Sequence, residues 1–142
     1  MAQTSELAQP SSALGRWVTD FFERIFCQPD DEVSASTLRD CVAEGFTARH
    51  NHDQFSRQTF IETVMKFRAH GTTIIQETKE IQVWEAPGGS GAGCVSQLVH
   101  FTDVNKETRA RTESLTLLTA SVKVVNGKKV LVDLTEVMKA LE

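Results

Sequence analysis

Apolar residues recur along the first part of the chain at helical intervals. Leu14, Trp17, Val18, Phe21, Phe22, Ile25 and Phe26 fall on one broad stripe with the i, i+3, i+4, i+7 spacing of an amphipathic helix. Ser11 or Ser12 can cap its start. The "QPDD" stretch at 28–31 stops it, because Pro29 biases Gln28 away from helical dihedrals. A second, shorter helix is predicted after Ser34 or Ser36, with Leu38, Cys41 and Val42 on one side and Gly45 at its end. Residues 46–50 then read as a short strand. A third helix starts near Ser56, a good N-cap, and presents Phe60, Ile61, Val64 and Phe67 to a core. "HG" at 70–71 closes it with a C′ glycine.

From Thr72 onward the period changes to two. "TTIIQETKEIQVW", "GCVSQLVHFTDV", "TRARTESLTLLTASVKVV" and "KKVLVDL" read as four strands, the third long enough to bend. "APGGSGAG" at 86–93 joins the first two. "NK" at 105–106 and "NG" at 126–127 read as tight hairpin turns, Asn-Gly being the stronger signal. "TEVMKALE" at the end reads as a terminal helical turn. The order predicts an α+β fold in which a curved antiparallel sheet wraps three helices. Such a half-cone leaves a central cavity between its concave face and the first and third helices. Residues 1–11 are expected to be a polar N-terminal tail and 12–142 a single domain.

Composition narrows the function classes. At 142 residues the chain is long enough to enclose a core, and its 40% hydrophobic and 24% charged content is that of a globular protein. A net charge of −4 argues against a nucleic-acid partner, which calls for a basic face. No apolar run is long enough to cross a membrane, and "MAQTSELAQPSS" lacks the basic start and apolar stretch of a secretory signal. The expected location is cytoplasmic. Cys27, Cys41 and Cys94 are odd in number, far apart and without C-x-x-C spacing, so free thiols are expected. Tyrosine is absent, which excludes a phenol as acid or oxyanion donor. "GGSGAG" lacks the Lys-Ser/Thr of a phosphate loop and leads into a strand, not a helix.

The element order, with "VAEGFTARHNHDQFSRQTFIETVMKFRAHG" in the middle and "VKVVNGKKVLVDLTEV" near the end, resembles the nuclear transport factor 2-like superfamily. That superfamily includes the ketosteroid isomerases and the SnoaL-like polyketide cyclases. The resemblance spans about residues 13–137 and implies a deep apolar cavity, a homodimer formed through the outer sheet face, and no cofactor. It further implies isomerisation, cyclisation or dehydration chemistry, or ligand binding and complex assembly without catalysis. Carried over by position, the end of the first strand, where ketosteroid isomerases keep a carboxylate base, is His50. Phe22 stands where they keep an oxyanion-hole tyrosine, and Ala120 near their second donor. Both departures speak against steroid isomerase activity.

The candidate chemistry starts from "ARHNHDQF". A histidine at a cavity mouth suits proton transfer near neutral pH, with Asp53 or Glu113 available to orient it. A strand-end residue facing water is the competing reading of His50. His52 is expected to face solvent. A metal reading of His50, His52 and Asp53 lacks a third and fourth ligand beyond the i, i+2 pair, and no metal is assigned. Val122 and Val124 flank the charged Lys123, so even positions of that strand should face inward. Thr112, Ser114 and Thr116 then line the cavity. Arg111 and Glu113 lie outside with Leu115 and Leu117, on a surface suited to a homodimer; a bulge would reverse the parity and bring Glu113 in. With a two-residue turn at 105–106, Arg111 would face His100. Asp133 either points to solvent or is a carboxylate in the cavity with a raised pKa, able to act as an acid. Trp17, Phe21, Phe60, Phe67 and Trp84 are core aromatics that can also form the wall around an apolar ligand. The resulting expectation is a cofactor-independent isomerase, cyclase or dehydratase. It would act on a small apolar oxygenated metabolite, polyketide- or terpenoid-like, with His50 moving the proton and Asp133 and Glu113 as further catalytic candidates. The alternative is a non-catalytic dimeric module of the same fold.

Overall fold

Ser12 begins the first helix: its hydroxyl accepts the Gly15 N–H at 2.8 Å. In the computed structural model, which describes residues 12–141, α1 (Ala13–Phe22) runs into a π-helical turn at Glu23–Cys27. It is followed by α2 (Asp31–Cys41), β1 (Val42–His50), β2 (Asp53–Ser56), α3 (Arg57–His70), β3 (Gly71–Glu85), β4 (Gly93–Asn105), β5 (Arg111–Val125) and β6 (Lys128–Ala140). The tail expected at 1–11, and Ser11 as a cap, lie outside the described residues. Arg68 of α3 is buried and closes the end of the π turn. Its guanidinium donates to the carbonyls of Ile25 (3.0 Å) and Gln28 (2.9 Å) and to Asp31 Oδ1 (2.9 Å). The Ile25 and Gln28 carbonyls lie at the helix end, where no intrahelical N–H reaches them.

Several boundaries differ from the sequence reading. Asp30, not Ser34 or Ser36, caps α2, accepting the Glu32 N–H at 2.9 Å. Ser34 is instead buried, its hydroxyl on the Ile25 carbonyl at 3.0 Å. The helix ends at Cys41, and Gly45 lies inside β1, where the register with β6 shifts between Val42 and Thr47. A strand glycine at an irregularity is ordinary behaviour. Asn51 (φ 55°) and His52 turn the chain into the unforeseen strand β2. Gly71 does follow α3, but with extended backbone (φ −150°), so left-handed freedom is not its role. A Cβ there would lie 3.1 Å from the Phe67 ring. The 105–106 turn is a longer connection: Asn105 Oδ1 accepts the N–H groups of Glu107 and Thr108, and Arg109 has φ 66°. Arg111 therefore faces Val104, and His100 faces Leu115. Asn126–Gly127, with φ 52° and 79°, is the two-residue hairpin expected. The last segment is strand, not helix: β6 extends to Ala140.

The six strands form one open sheet in the order β2-β1-β6-β5-β4-β3, antiparallel except for β1 beside β6. Register shifts between Ile75 and Glu77, Glu80 and Gln82, and Ser121 and Val122 bend the long strands over the helices. Even positions of β5 face inward: Ser114, Thr116, Leu118, Ala120 and Val122 are buried. They pack with Val18, Phe21 and Ile25 of the first helix and its π turn, and with Phe60 and Val64 of α3, in one core. This is the cone-like α+β arrangement expected from the pattern. The three cysteines are free. No helix among the described residues is long and apolar enough to cross a membrane.

Candidate functional site

A cavity of about 240 Å³ lies between the concave sheet face and helices α1 and α3. Six phenylalanines dominate its wall: Phe22, Phe26, Phe55, Phe60, Phe67 and Phe101. Four of them come from the helical stripes and their π extension. β2 and β4 supply Phe55 and Phe101.

The histidine and the two carboxylates of the lining come from the strands. His50 closes β1 and pairs with Glu136 of β6, its register partner, with Nδ1 3.2 Å from Oε1. The same Oε1 accepts the Thr116 hydroxyl at 3.3 Å. The Glu136 side chain is 14% exposed and the His50 side chain 35%. Burial pushes the Glu136 carboxyl above its ordinary range, against the opposing effects of the His50 charge and the hydrogen bonds from Thr116 and His50. A carboxylate on Nδ1 orients the ring and leaves Nε2 for proton transfer. A second carboxylate, Asp103 of β4, also lines the cavity and accepts the Thr73 hydroxyl at 2.8 Å. Burial raises its pKa and the Thr73 hydrogen bond lowers it, with burial the larger. Asp103, Thr63 and Phe67 also border a shallower groove between α3 and the β4–β5 connection.

The other expected residues are distributed differently. Phe60 and Phe67 line the cavity, but Trp17 and Phe21 do not; they stack on each other at 5.9 Å, with Phe21 buried in the core. Trp84 is on the outer face and 58% exposed, on the same side as Thr72 and Ile74, because the two bulges of β3 between them cancel in parity. Thr112 is exposed and borders the shallower groove, not the cavity. Asp133 is exposed opposite Ser121, which removes it as a cavity acid. Glu113 is on the outer face, 2.8 Å from His100 Nε2, and orients nothing in the cavity. Asp53 lies opposite His50 in the β1–β2 register but is exposed, and Glu136 is the carboxylate that meets the imidazole. His52 sits in the exposed turn, and no group of three or more potential metal ligands converges among the described residues. Phe22 is in the cavity wall, while Ala120 is fully buried and outside it. The sequence reading missed Glu136 because "TEVMKALE" was assigned to a helical turn. It missed Asp103, although counting by twos from Gln97 through Val99 and Phe101 reaches it.

No protein-family model and no curated protein sequence matches the chain. Solved structures do. A conserved protein from Planctomyces limnophilus superposes with a TM-score of 0.73 at 8% identity, covering 98% of this chain and 99% of that one. A ketosteroid isomerase-like protein from Erwinia carotovora atroseptica gives 0.65 at 9% identity, covering 100% and 99%. An NTF2-like protein from Cytophaga hutchinsonii gives 0.55 at 8% identity, covering 89% and 97%.

The chain has the nuclear transport factor 2-like fold. At these identities the likeness speaks for architecture alone. Within the nuclear transport factor 2-like frame, this chain's own features are a histidine–glutamate pair at the β1 and β6 ends and a phenylalanine-lined interior.

Proposed function

We propose that this protein is a cofactor-independent enzyme that moves a proton on a small apolar oxygenated molecule, polyketide- or terpenoid-like, in an isomerisation, cyclisation or dehydration. One observation carries the reading: the His50–Glu136 pair sits in the wall of a cavity built mainly of phenylalanine and aliphatic side chains, with Asp103, Arg49, Gln97 and several threonines as its other polar groups. His50 is the acid–base group. Glu136 is its positioning residue and stabilises the imidazolium when the proton arrives. Asp103, at a distance along the wall, is available as a proton donor because burial favours its neutral form. Solved structures of this fold include proteins named as a SnoaL-like isomerase from Agrobacterium tumefaciens and a SnoaL-like polyketide cyclase from Mesorhizobium loti, names that support this class of chemistry without fixing the reaction. The three free thiols agree with a reducing, cytoplasmic location.

The test is turnover of a panel of cyclic hydroxy-ketones and β-diketones, followed by absorbance and proton exchange, with the wild type and His50→Ala. Turnover that the substitution leaves unchanged removes His50 from the mechanism.

A second reading concerns assembly. The outer sheet face carries a cross-strand row of Leu98, Leu117 and Val137, with Leu117 47% and Val137 65% exposed, and Ile81 and Trp84 nearby. We infer that this face is buried in a homodimer, in which the fold acts as an enzyme or as a ligand-binding or assembly module. Native mass at micromolar concentration tests it, and a clean monomer refutes it.

A further inference from the structure

We propose that Gln97 selects the cavity's ligand by accepting a hydrogen bond from a hydroxyl or N–H group on it. The ligand is therefore hydroxylated or aminated at the end away from the reacting pair. This rests on the reading of the cavity as a binding site for an apolar oxygenated molecule.

Gln97 is a polar side chain in the middle of β4 with 1% exposure. Its Nε2 donates to the Gly15 carbonyl at 3.0 Å and, at 3.4 Å, to the Thr19 hydroxyl. A backbone carbonyl only accepts, so the Gly15 contact fixes the amide: nitrogen toward α1, oxygen away from it. That oxygen accepts no hydrogen bond from the described residues. Yet no fully enclosed side-chain nitrogen or oxygen among the described residues lacks a partner. The oxygen therefore has an open side, and Gln97 meets open space at the cavity wall. Thr78 adds an independent observation. It is 5% exposed, lines the same cavity and lies diagonally beside Gln97, since the register sets Thr78 opposite Val99 and Glu80 opposite Gln97. Its hydroxyl, too, makes no hydrogen bond with the described residues and so opens on the cavity. Retaining an amide oxygen in an aromatic wall costs stability unless a donor meets it.

The position sets the ligand's length. His50, Glu136, Leu118 and Gln97 form one inward-facing row across β1, β6, β5 and β4. Gln97 is thus two strand spacings from Glu136, roughly 10 Å. A bicyclic ring system with its reacting atoms at His50–Glu136 places its far substituent at Gln97. An amide oxygen accepts but never donates, so the substituent it accommodates must carry a hydrogen.

The experiment compares 2-naphthol with 2-methylnaphthalene, which differ in hydroxyl against methyl, by titration calorimetry. The preference for 2-naphthol over 2-methylnaphthalene, taken as the ratio of their Kd values, falls about tenfold in Gln97→Leu and is retained in His50→Ala. A ratio that falls in His50→Ala and not in Gln97→Leu overturns the proposal and leaves the cavity reading standing. Failure of both probes to bind the wild type overturns both. Gln97→Leu also removes the bond to Gly15, so a measurement on the wild-type protein stands beside it. In a proton–nitrogen correlation spectrum, 2-naphthol shifts the Gln97 side-chain amide signals and 2-methylnaphthalene leaves them in place; equal shifts with both overturn the proposal.

Discussion

The same sheet carries two histidine–glutamate pairs, one on each face. On the outer face His100 Nε2 lies 2.8 Å from Glu113 Oε1; on the inner face His50 Nδ1 lies 3.2 Å from Glu136 Oε1. By distance alone the outer pair is the better contact. Burial reverses the ranking: the Glu113 side chain is 57% exposed and Glu136 only 14%. Water screens the outer charges and leaves little for the pair to do. The inner carboxyl has lost most of its hydration, gains Thr116 as a donor, and borders a cavity in which a substrate can meet the imidazole. Two pairs of the same residue types differ in environment because the pleat sends one inward.

Activity separates the pairs most strongly. On any substrate that the protein turns over, His50→Ala is expected to lower kcat/KM by about 10² to 10⁴, the usual range for a lost general acid–base. His100→Ala should change it by less than about twofold, as surface substitutions do. Comparable losses from the two would sink the distinction. Glu136→Gln comes next, with a loss on the order of tenfold to a hundredfold, because the amide still meets the imidazole but carries no charge to stabilise its protonated form. Its pH–rate profile should also lose dependence on the carboxyl. An unaltered profile would mean that Glu136 holds the ring in place and nothing more.

Of the outer pair the sequence showed the outward face of Glu113 but set Arg111, not Glu113, against His100, and of the inner pair it showed His50 alone. Even–odd alternation around Val122–Lys123–Val124 put Glu113 outside, and the structure agrees because β5 keeps its parity from Arg111 through Ser121. His50 stood out through the family position of the first strand's end. Glu136 did not, since "TEVMKALE" has helix-forming residues and a terminal position, and only pairing with β1 and β5 makes it a strand. Trp84 failed for a related reason. The two bulges in β3 cancel in parity, so Trp84 keeps the outward side of Thr72 and Ile74, and an apolar side chain alone does not say which face it takes. Helix stripes, the Ser12 and Ser56 caps and the Asn-Gly turn are local and were readable; long-range register decides which face a strand residue shows.

Stability against pH sharpens the contrast with smaller effects. Glu136 in the folded protein holds its proton above the ordinary value of 4.5, chiefly through burial. As pH rises above 4.5, the folded chain therefore binds more protons at this site than the unfolded chain, and stability falls through that window. Asp103 acts in the same direction above its ordinary value of 3.8. Urea unfolding should show Glu136→Gln and Asp103→Asn gaining on the wild type as pH goes from 4 to 7, a gain on the stability side set against lost activity. A gap that is flat in pH, or one that closes toward pH 7, would contradict the burial account.

The smallest expected effect lies on the outer face. A double-mutant cycle of His100→Ala and Glu113→Ala should give a coupling below about 1 kcal/mol that salt abolishes, as for other exposed pairs. The outcome also bears on assembly, because exposure of this pair holds for a single chain. Leu115, next to His100 in the register, and Leu117 with Val137 would all be covered in a dimer formed through this face. The coupling would then rise with protein concentration and resist salt, since the partner would exclude the water that screens the charges. Measured at two concentrations a hundredfold apart, a constant weak coupling means that this face stays wet. A rising coupling means that the outer pair is buried by association, as the inner pair is buried by folding.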